Sequence, residues 1–111
     1  MSEQKPQALS ESFSLVAQSF LLWSETEKGA AAETIRHRQD CLRQIARIVG
    51  EKPVTEFSKD DLLYLKRDLL RRKLSPSRQA GILYALKNLL LYCRGEERLQ
   101  LQLEPEDITF P

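Results

Sequence analysis

The chain contains the sequence SPSRQAGILYALKNLLLYC from Ser75 to Cys93. Apolar residues recur in it at steps of three and four, which is the period of one helix face. Ser75 is a favourable N-cap, and Pro76 suits the first helical position because no N–H donor is needed there. The stretch therefore predicts a helix whose apolar face is wide enough for the centre of a bundle. Its inward-facing residues are predicted to be Ile82, Leu83, Leu86, Leu89, Leu90 and Cys93.

Three further amphipathic helices are predicted ahead of this one, over about 14–28, 32–49 and 58–72. The third has the clearest start, because Ser58 is a good N-cap and Asp60 and Asp61 lie where the helix dipole favours negative charge. Phe57 and Leu62 are spaced as a hydrophobic staple around that cap. The predicted inward residues are Phe13, Val16, Ala17, Phe20 and Leu21 in the first helix, Ile35, Leu42, Ile45, Ala46 and Val49 in the second, and Leu62, Leu65, Leu69 and Leu70 in the third.

After residue 95 the helical pattern ends. Leu99, Leu101 and Leu103 alternate with glutamines, a period of two that favours an extended segment. One half-apolar strand cannot satisfy its own edges, so we interpret 96–111 as a linker towards a further domain. We therefore expect an all-α chain, a compact four-helix orthogonal bundle over 13–95 with an extended C-terminal linker, preceded by a flexible N-terminus over 1–12.

Length and composition set the broad class. The chain has 111 residues, 41% hydrophobic and 30% charged, which is typical of one globular domain with one core. Cys41 and Cys93 have no metal-site spacing and are expected to be buried thiols in a reducing compartment. The N-terminal residues lack the apolar stretch of a signal peptide, and no run is long enough to cross a membrane. We expect a cytoplasmic protein.

The charges are sorted along the chain, although the net charge is only +1. Between Arg36 and Arg47 the only acid is Asp40, and between Lys66 and Lys87 it is Asp68. Acids concentrate ahead of the second helix and after residue 95. This distribution is typical of a phosphate-binding face with acidic flanks, and the alternative is a set of cations that only keep the surface soluble. The cations are Arg36, Arg38, Arg43 and Arg47, and then Lys66, Arg67, Arg71, Arg72, Lys73, Arg78 and Lys87.

Four pieces of sequence, in order and spacing, resemble the core-binding domain of the tyrosine recombinase (phage integrase) family. Residues 34–50, TIRHRQDCLRQIARIVG, resemble its opening pattern of Thr, an aromatic residue, Leu, an apolar residue and Gly. Residues 54–62, VTEFSKDDL, resemble its Ser/Thr-x-x-Asp-Leu helix entry. Residues 74–87, LSPSRQAGILYALK, resemble its Leu-Ser-Pro-Ser-Thr helix, and 105–111 resembles the linker before the catalytic domain.

This sequence departs from the family pattern at several positions. Arg38 stands where the family often has Tyr, and Arg78 replaces the usual Thr. Ala31 stands where a capping Ser or Thr is common, and Gly81 and Ile82 stand where polar or basic residues are common. These departures affect the transfer of detailed base contacts but not the core pattern.

The resemblance implies a SAM-like four-helix bundle that clamps double-stranded DNA for integration or recombination, together with a catalytic domain of the same parent chain. The nucleophilic tyrosine and its Arg, His and Lys partners belong to that other domain in the family. This part is therefore expected to be non-catalytic and to need no cofactor or metal, and Tyr64, Tyr84 and Tyr92 are not expected to be nucleophiles. Other recombinase protomers on the DNA are possible partners, and no membrane is expected.

The resemblance also implies a DNA surface formed by the second and fourth helices, with their N-terminal halves near the major groove. Helix N-termini offer free N–H groups to phosphates. Arg78 and Gln79 are expected at base edges, because Arg matches guanine and Gln matches adenine. The other candidates are expected to hold phosphates. The candidate DNA-binding residues are Thr34, Arg36, His37, Arg38, Arg43, Ser75, Ser77, Arg78, Gln79 and Lys87.

Two other function classes are alternatives to DNA binding. A SAM-like protein–protein interaction module without DNA binding would have the same size and helix count, and it would expose an apolar patch instead of a basic face. A stand-alone enzyme finds no support, because the sequence has no Gly-rich phosphate loop, no His-rich metal spacing and no plausible triad.

Overall fold

The computed structural model describes residues 12–111, which form four α-helices and two short 3-10 turns. The helices are α1 (Phe13–Thr26), α2 (Ala32–Val49), α3 (Lys59–Arg71) and α4 (Pro76–Gly95), and the 3-10 turns are Val54–Glu56 and Pro105–Asp107. The described residues contain no β-strand. The predicted all-α four-helix bundle is therefore confirmed, and α2 has the predicted bounds. The prediction for residues 1–12 lies outside the described residues except at Ser12.

The core is built around α4, as its broad apolar face predicts. All six of its predicted inward residues are buried, and α4 packs against α1, α2 and the second 3-10 turn. Burying a large aliphatic or aromatic side chain of this kind stabilises the fold by about 1.5–3 kcal/mol. The other predicted core positions that are buried are Phe13, Val16, Ala17, Phe20, Leu42, Ile45, Leu62, Leu65 and Leu69.

Leu70 is a correction to the predicted core. It was expected to face inward from α3, but its side chain is 63% exposed. Successive helical residues are rotated by about 100°. Leu65 and Leu69, four residues apart, define the buried face, and the next residue is rotated away from it into solvent.

The start of α3 is held by the predicted cap. The Ser58 hydroxyl accepts a hydrogen bond from the Asp61 N–H at 3.2 Å, and the Asp61 carboxylate accepts one from the Ser58 N–H at 2.9 Å. Lys52 Nζ lies 3.0 Å from both carboxylate oxygens of Asp61. Burial alone would raise the pKa of Asp61, but these hydrogen bonds and the lysine charge outweigh it and lower that pKa. This capping box also connects α3 to the segment after α2.

The C-terminal segment lies against the bundle instead of extending away from it. Leu103 and Ile108 are buried in the core, and Leu99 and Leu101 are partly buried against it. Polar contacts also hold the segment: Arg94 pairs with Glu104 and Glu106, and Lys66 Nζ donates to Thr109 Oγ1 at 2.8 Å. Residues 99–108 are thus part of the folded unit, and a linker role for 96–111 stays a prediction.

The burial of the two cysteines and the apolar character of the helices were also predicted from the sequence. Cys41 and Cys93 are both buried and unpaired, which confirms the predicted buried thiols. Burial raises the pKa of Cys93 to about 12, so this thiol is neutral at physiological pH. Within residues 12–111, none of the helices combines the length and apolar character that crossing a membrane needs.

Candidate nucleic-acid interface

Helices α2 and α4 run antiparallel along a shared seam. Thr34 and Arg38, early in α2, line the same hollow as Asn88 and Leu91, late in α4. Residues in the middle of α2 line a second hollow together with the first two turns of α4. The N-terminal halves of the two helices are therefore offset along the seam.

The second hollow, here called the α2–α4 cleft, has a volume of about 450 Å³. It brings together His37, Ser77 and Arg78, three of the residues expected to bind DNA. Gly81 leaves the cleft open, because a Cβ atom at this position would lie 3.8 Å from His37 Nε2. The full lining is His37, Asp40, Cys41, Gln44, Ser77, Arg78, Gly81 and Ile82.

The charges in the cleft leave Arg78 available to a ligand. Arg78 forms no ion pair among residues 12–111, whereas Asp40 lies 3.9 Å from the Arg43 guanidinium. Burial and the charge of Asp40 raise the pKa of Cys41, while the Arg78 charge acts against them. The Cys41 Sγ atom lies 3.7 Å from His37 Nε2. The cleft therefore presents one guanidinium beside an imidazole, with a neutral thiol on its floor.

The start of α4 adds hydrogen-bond donors to this cleft. The Ser75 hydroxyl accepts from the Arg78 N–H at 3.2 Å and so caps the helix. Pro76 has no N–H, and the N–H of Ser77, in the first turn, has no acceptor within the helix. The Ser77 N–H and hydroxyl, the guanidinium of Arg78 and the ring of His37 thus form one group of donors that suits an anionic oxygen.

Thr34 and Arg38 belong to the other hollow, here called the aromatic hollow. Its volume is about 480 Å³, and the Arg38 guanidinium carbon lies 5.7 Å from the centroid of the Phe20 ring. Arg38 and Arg78 are thus on the same seam but in different hollows. The full lining is Phe20, Trp23, Ser24, Lys28, Ala30, Thr34, Arg38, Asn88, Leu91, Tyr92 and Glu96.

Arg36 and Arg43 lie on the outer face of α2. Both are exposed, and their seven-residue spacing places them on one side of the helix, together with Arg47. Arg43 also lines a shallow groove with Ser14 and Gln18 of α1. Neither Arg36 nor Arg43 lines the α2–α4 cleft.

Gln79 and Lys87 have other positions. Gln79 is buried, and its Nε2 donates a hydrogen bond of 2.8 Å to the Leu74 carbonyl, so the side chain closes the turn before α4. Lys87 Nζ lies 5.7 Å from the centroid of the Phe110 ring, on the side covered by the C-terminal segment. The Gln79 side chain is thus engaged within the protein, and its contact with a base stays a prediction.

Sequence reasoning missed Gln44 of the cleft. This residue lies seven positions after His37 on α2, and two helical turns separate them on the same face. The position seven residues after His37, on the same face of the predicted helix, is Gln44, and this spacing could have identified it. Among the described residues, no three His, Cys, Asp or Glu side chains are arranged to hold a metal ion.

Comparison with protein-family models, with curated proteins and with solved structures gives no match to this chain. The function proposed below therefore rests on the sequence resemblance and on the cleft, the charges and the exposed surfaces of this bundle.

Proposed function

We propose that this chain is a DNA-binding module, the core-binding domain of a site-specific tyrosine recombinase. The observation that carries the proposal is the convergence of His37, Ser77 and Arg78 in the α2–α4 cleft. In this proposal α2 and α4 lie along the duplex, and strand cutting belongs to a catalytic domain of the same parent chain. The cytoplasm is the corresponding location.

The cations proposed to contact DNA are among those without an ion-pair partner in the described residues, as Arg67 of α3 also is. Several cations elsewhere in the bundle are neutralised: Lys52 pairs with Asp61, Arg72 with Asp68 and Arg94 with Glu106. In the part of the chain that the structure describes, Arg36, Arg47 and Arg78 form no such pair. Unpaired cations, here Arg78 in the cleft and Arg36 and Arg47 on the outer face of α2, can neutralise phosphates and release condensed counterions, which supplies most non-specific DNA affinity.

Within this surface the residues have different proposed roles. Arg78, next to the N-terminus of α4, is proposed to contact a base edge or the phosphate beside it, and Ser77 and His37 a phosphate. Arg36 is proposed to contact the backbone from the outer face of α2. Asp40 also lines the cleft and reduces its positive charge. We expect the binding to weaken as salt rises, because it depends on phosphate contacts.

Charge reversals test the surface. Arg36→Glu and Arg78→Glu are expected to weaken binding of a fluorescent mixed-sequence duplex at low salt by at least about tenfold, measured by anisotropy. Each should also lower the slope of log affinity against log salt by about 0.9, the value for one lost phosphate contact. Arg67→Glu is the matched control, because this exposed arginine of α3 faces away from the core.

A folding control shows whether a loss of DNA binding comes from the lost charge or from unfolding. Circular dichroism and thermal unfolding should be unchanged in all three variants, because the three arginines are exposed and unpaired. If both reversals bind DNA as the Arg67→Glu control does, the α2–α4 surface is not the DNA-binding surface. If the intact protein binds no duplex even at low salt, the proposed function itself is rejected.

A protein–protein interaction module is the second candidate, and one observation favours it. Leu63 and Leu70, seven residues apart on α3, are 64% and 63% exposed. That spacing places both on one side of the helix. Sedimentation at increasing salt separates the candidates: association that persists in high salt and is lost in Leu63→Gln supports this module, whereas a monomer that binds DNA supports the first candidate.

A further inference from the structure

We propose that the aromatic hollow binds a small aromatic anion, of the kind represented by a nucleoside monophosphate. The site lies where α1, α2 and α4 meet, away from the α2–α4 cleft. It is a second binding function that does not rest on the proposed DNA binding, although Thr34 and Arg38, which line it, are also candidate DNA-binding residues.

The wall of the hollow is aromatic. The centroid of the Trp23 ring lies 5.2 Å from that of Tyr92, and the centroid of Phe20 lies 5.5 Å from that of Tyr92. Trp23 is half-buried, so part of its ring faces the hollow. Phe20 and Tyr92 are buried behind it. The open part of the Trp23 ring can therefore favour a planar ligand through stacked or edge-on contacts.

Two cations flank this wall. Lys28 Nζ lies 5.3 Å from the centroid of the Trp23 ring, and Arg38 lies over Phe20. Within residues 12–111 neither cation has a carboxylate partner. Glu96 is the acid in the lining, so the hollow has a net positive charge of one. The wall and the cations together select a ligand that carries both a ring and a negative group.

Unpaired polar groups point to a ligand more directly. The Ser24 side chain is 1% exposed, and its hydroxyl has no hydrogen-bond partner in the structure. Thr34 and Asn88, which also line the hollow, form no side-chain hydrogen bond with any described residue. A buried hydroxyl left unpaired costs about 1–3 kcal/mol, and buried polar groups are nearly always paired. A ligand with several oxygen atoms would pair with the Ser24 hydroxyl and replace water at Thr34, which is exposed, and at Asn88, which is half-buried.

The volume also matches a small ligand. At about 480 Å³ the hollow lies within the usual range for small-molecule sites, about 300–1,000 Å³. A nucleoside monophosphate combines a ring, hydroxyl groups and a phosphate in a molecule of suitable size. A phenyl phosphate carries the ring and the charge without the sugar.

The test uses the tryptophan of the wall as its own reporter, since Trp23 is the single tryptophan of the chain. AMP and phenyl phosphate are titrated into the intact protein while tryptophan fluorescence is recorded. We expect a saturable change with at least one of them. Adenosine and inorganic phosphate, which each lack one half of the ligand, should bind at least about tenfold more weakly.

Variants locate the site. Lys28→Gln and Asn88→Ala should each lower the affinity for the probe that binds by about fivefold or more. If one of these variants fails to fold, the other still tests the site. Arg43→Gln, in the separate groove beside α1, should leave the affinity unchanged. The proposal is overturned if neither AMP nor phenyl phosphate gives a saturable change, if adenosine binds as tightly as AMP, or if the folded variants bind like the intact protein.

The result is independent of the DNA proposal. Lys28→Gln should leave duplex affinity unchanged, because Lys28 is not among the proposed DNA contacts. Loss of AMP binding with normal DNA binding supports the aromatic hollow as a separate site. Failure of the intact protein to bind DNA, with normal AMP binding, rejects the DNA proposal and leaves this one supported.

Discussion

Arg94 of α4 donates two hydrogen bonds of 2.9 Å to the carboxylate of Glu106, and its Nη1 also lies 3.1 Å from Glu104. These bonds join the last turn of α4 to the second 3-10 turn. The Arg94 guanidinium holds the pKa of Glu106 at about 2, below its ordinary value of 4.5. Leu103, just before these glutamates in the sequence, and Ile108, just after them, are both buried. The C-terminal segment is therefore attached by both charge and apolar packing.

The first prediction concerns the pH dependence of this attachment. A carboxyl whose pKa is lowered in the folded state stabilises that state above its unfolded pKa, and the effect is lost as pH falls through the folded value. The hydrogen-bonded amides of Glu104, Asp107 and Ile108 should therefore lose hydrogen-exchange protection, corrected for the intrinsic rate, between about pH 4.5 and about pH 2. Arg94→Gln should show the reduced protection already at neutral pH. Equal protection in both proteins at pH 7 would contradict the role of Arg94.

The second prediction concerns the apolar part of the attachment. Leu103→Ala should lower the free energy of unfolding by about 2–5 kcal/mol, because it removes buried methyl groups and leaves a cavity. Leu101→Ala is the matched control, and its effect should be smaller because Leu101 is only partly buried. Urea unfolding followed by circular dichroism measures both. Equal, small losses would mean that the segment does not contribute to the core.

The third prediction concerns the cap of α3. Ser58→Ala should cost about 1 kcal/mol in the free energy of unfolding, since it removes the acceptor for the Asp61 N–H. Ser77→Ala, an exposed serine that makes no cap bond, should have a smaller effect. Because the pKa of Asp61 is lowered, its contribution is present above about pH 3.8, its ordinary value, and is lost as pH falls further. In the Asp61→Asn variant, the free energy of unfolding should no longer show the part of its pH dependence that comes from the Asp61 carboxylate.

The fourth prediction concerns Gly81, which lies within α4. Gly81→Ala should raise the free energy of unfolding by about 0.4–1 kcal/mol, because alanine restricts the unfolded chain and favours the helix. The new methyl group would meet His37 Nε2 at 3.8 Å, an ordinary contact distance, so no clash offsets the gain. Thermal unfolding measures the change. A lower unfolding midpoint would mean that the space above Gly81 is needed by the fold.

Local patterns predicted the helices well, and the reason is visible in α4. Its apolar residues recur on one face, and Ser75 and Pro76 are favourable in any helix start, so the prediction needed no distant contact. The start of α2 was poorly marked because Ala31 has no capping side chain, and the helix begins there nonetheless. Tertiary packing of Leu42 and Ile45 compensates for the missing cap.

The features that the sequence did not predict depend on contacts outside the regular helices, in turns and between elements. The period of two over 99–103 indicated an extended segment, but Arg94 and Glu106 bring it back onto the bundle. Gln79 resembled a base-reading side chain, but its partner is the carbonyl of Leu74 in the preceding turn. A helical wheel placed Arg36 and Arg78 on polar faces, but it could not give their relative orientation, which depends on the packing of α2 against α4.

The burial of Leu103 and Ile108 has a practical consequence for cloning. A fragment that ends with the fourth helix would expose the apolar groove that Leu103 and Ile108 fill. It would also leave the guanidinium of Arg94 without its carboxylate partners. Such a fragment should express poorly or aggregate, whereas one that continues past residue 108 should behave as a single cooperative unit. Boundaries for domain fusions and for crystallisation trials are therefore best placed beyond the second 3-10 turn.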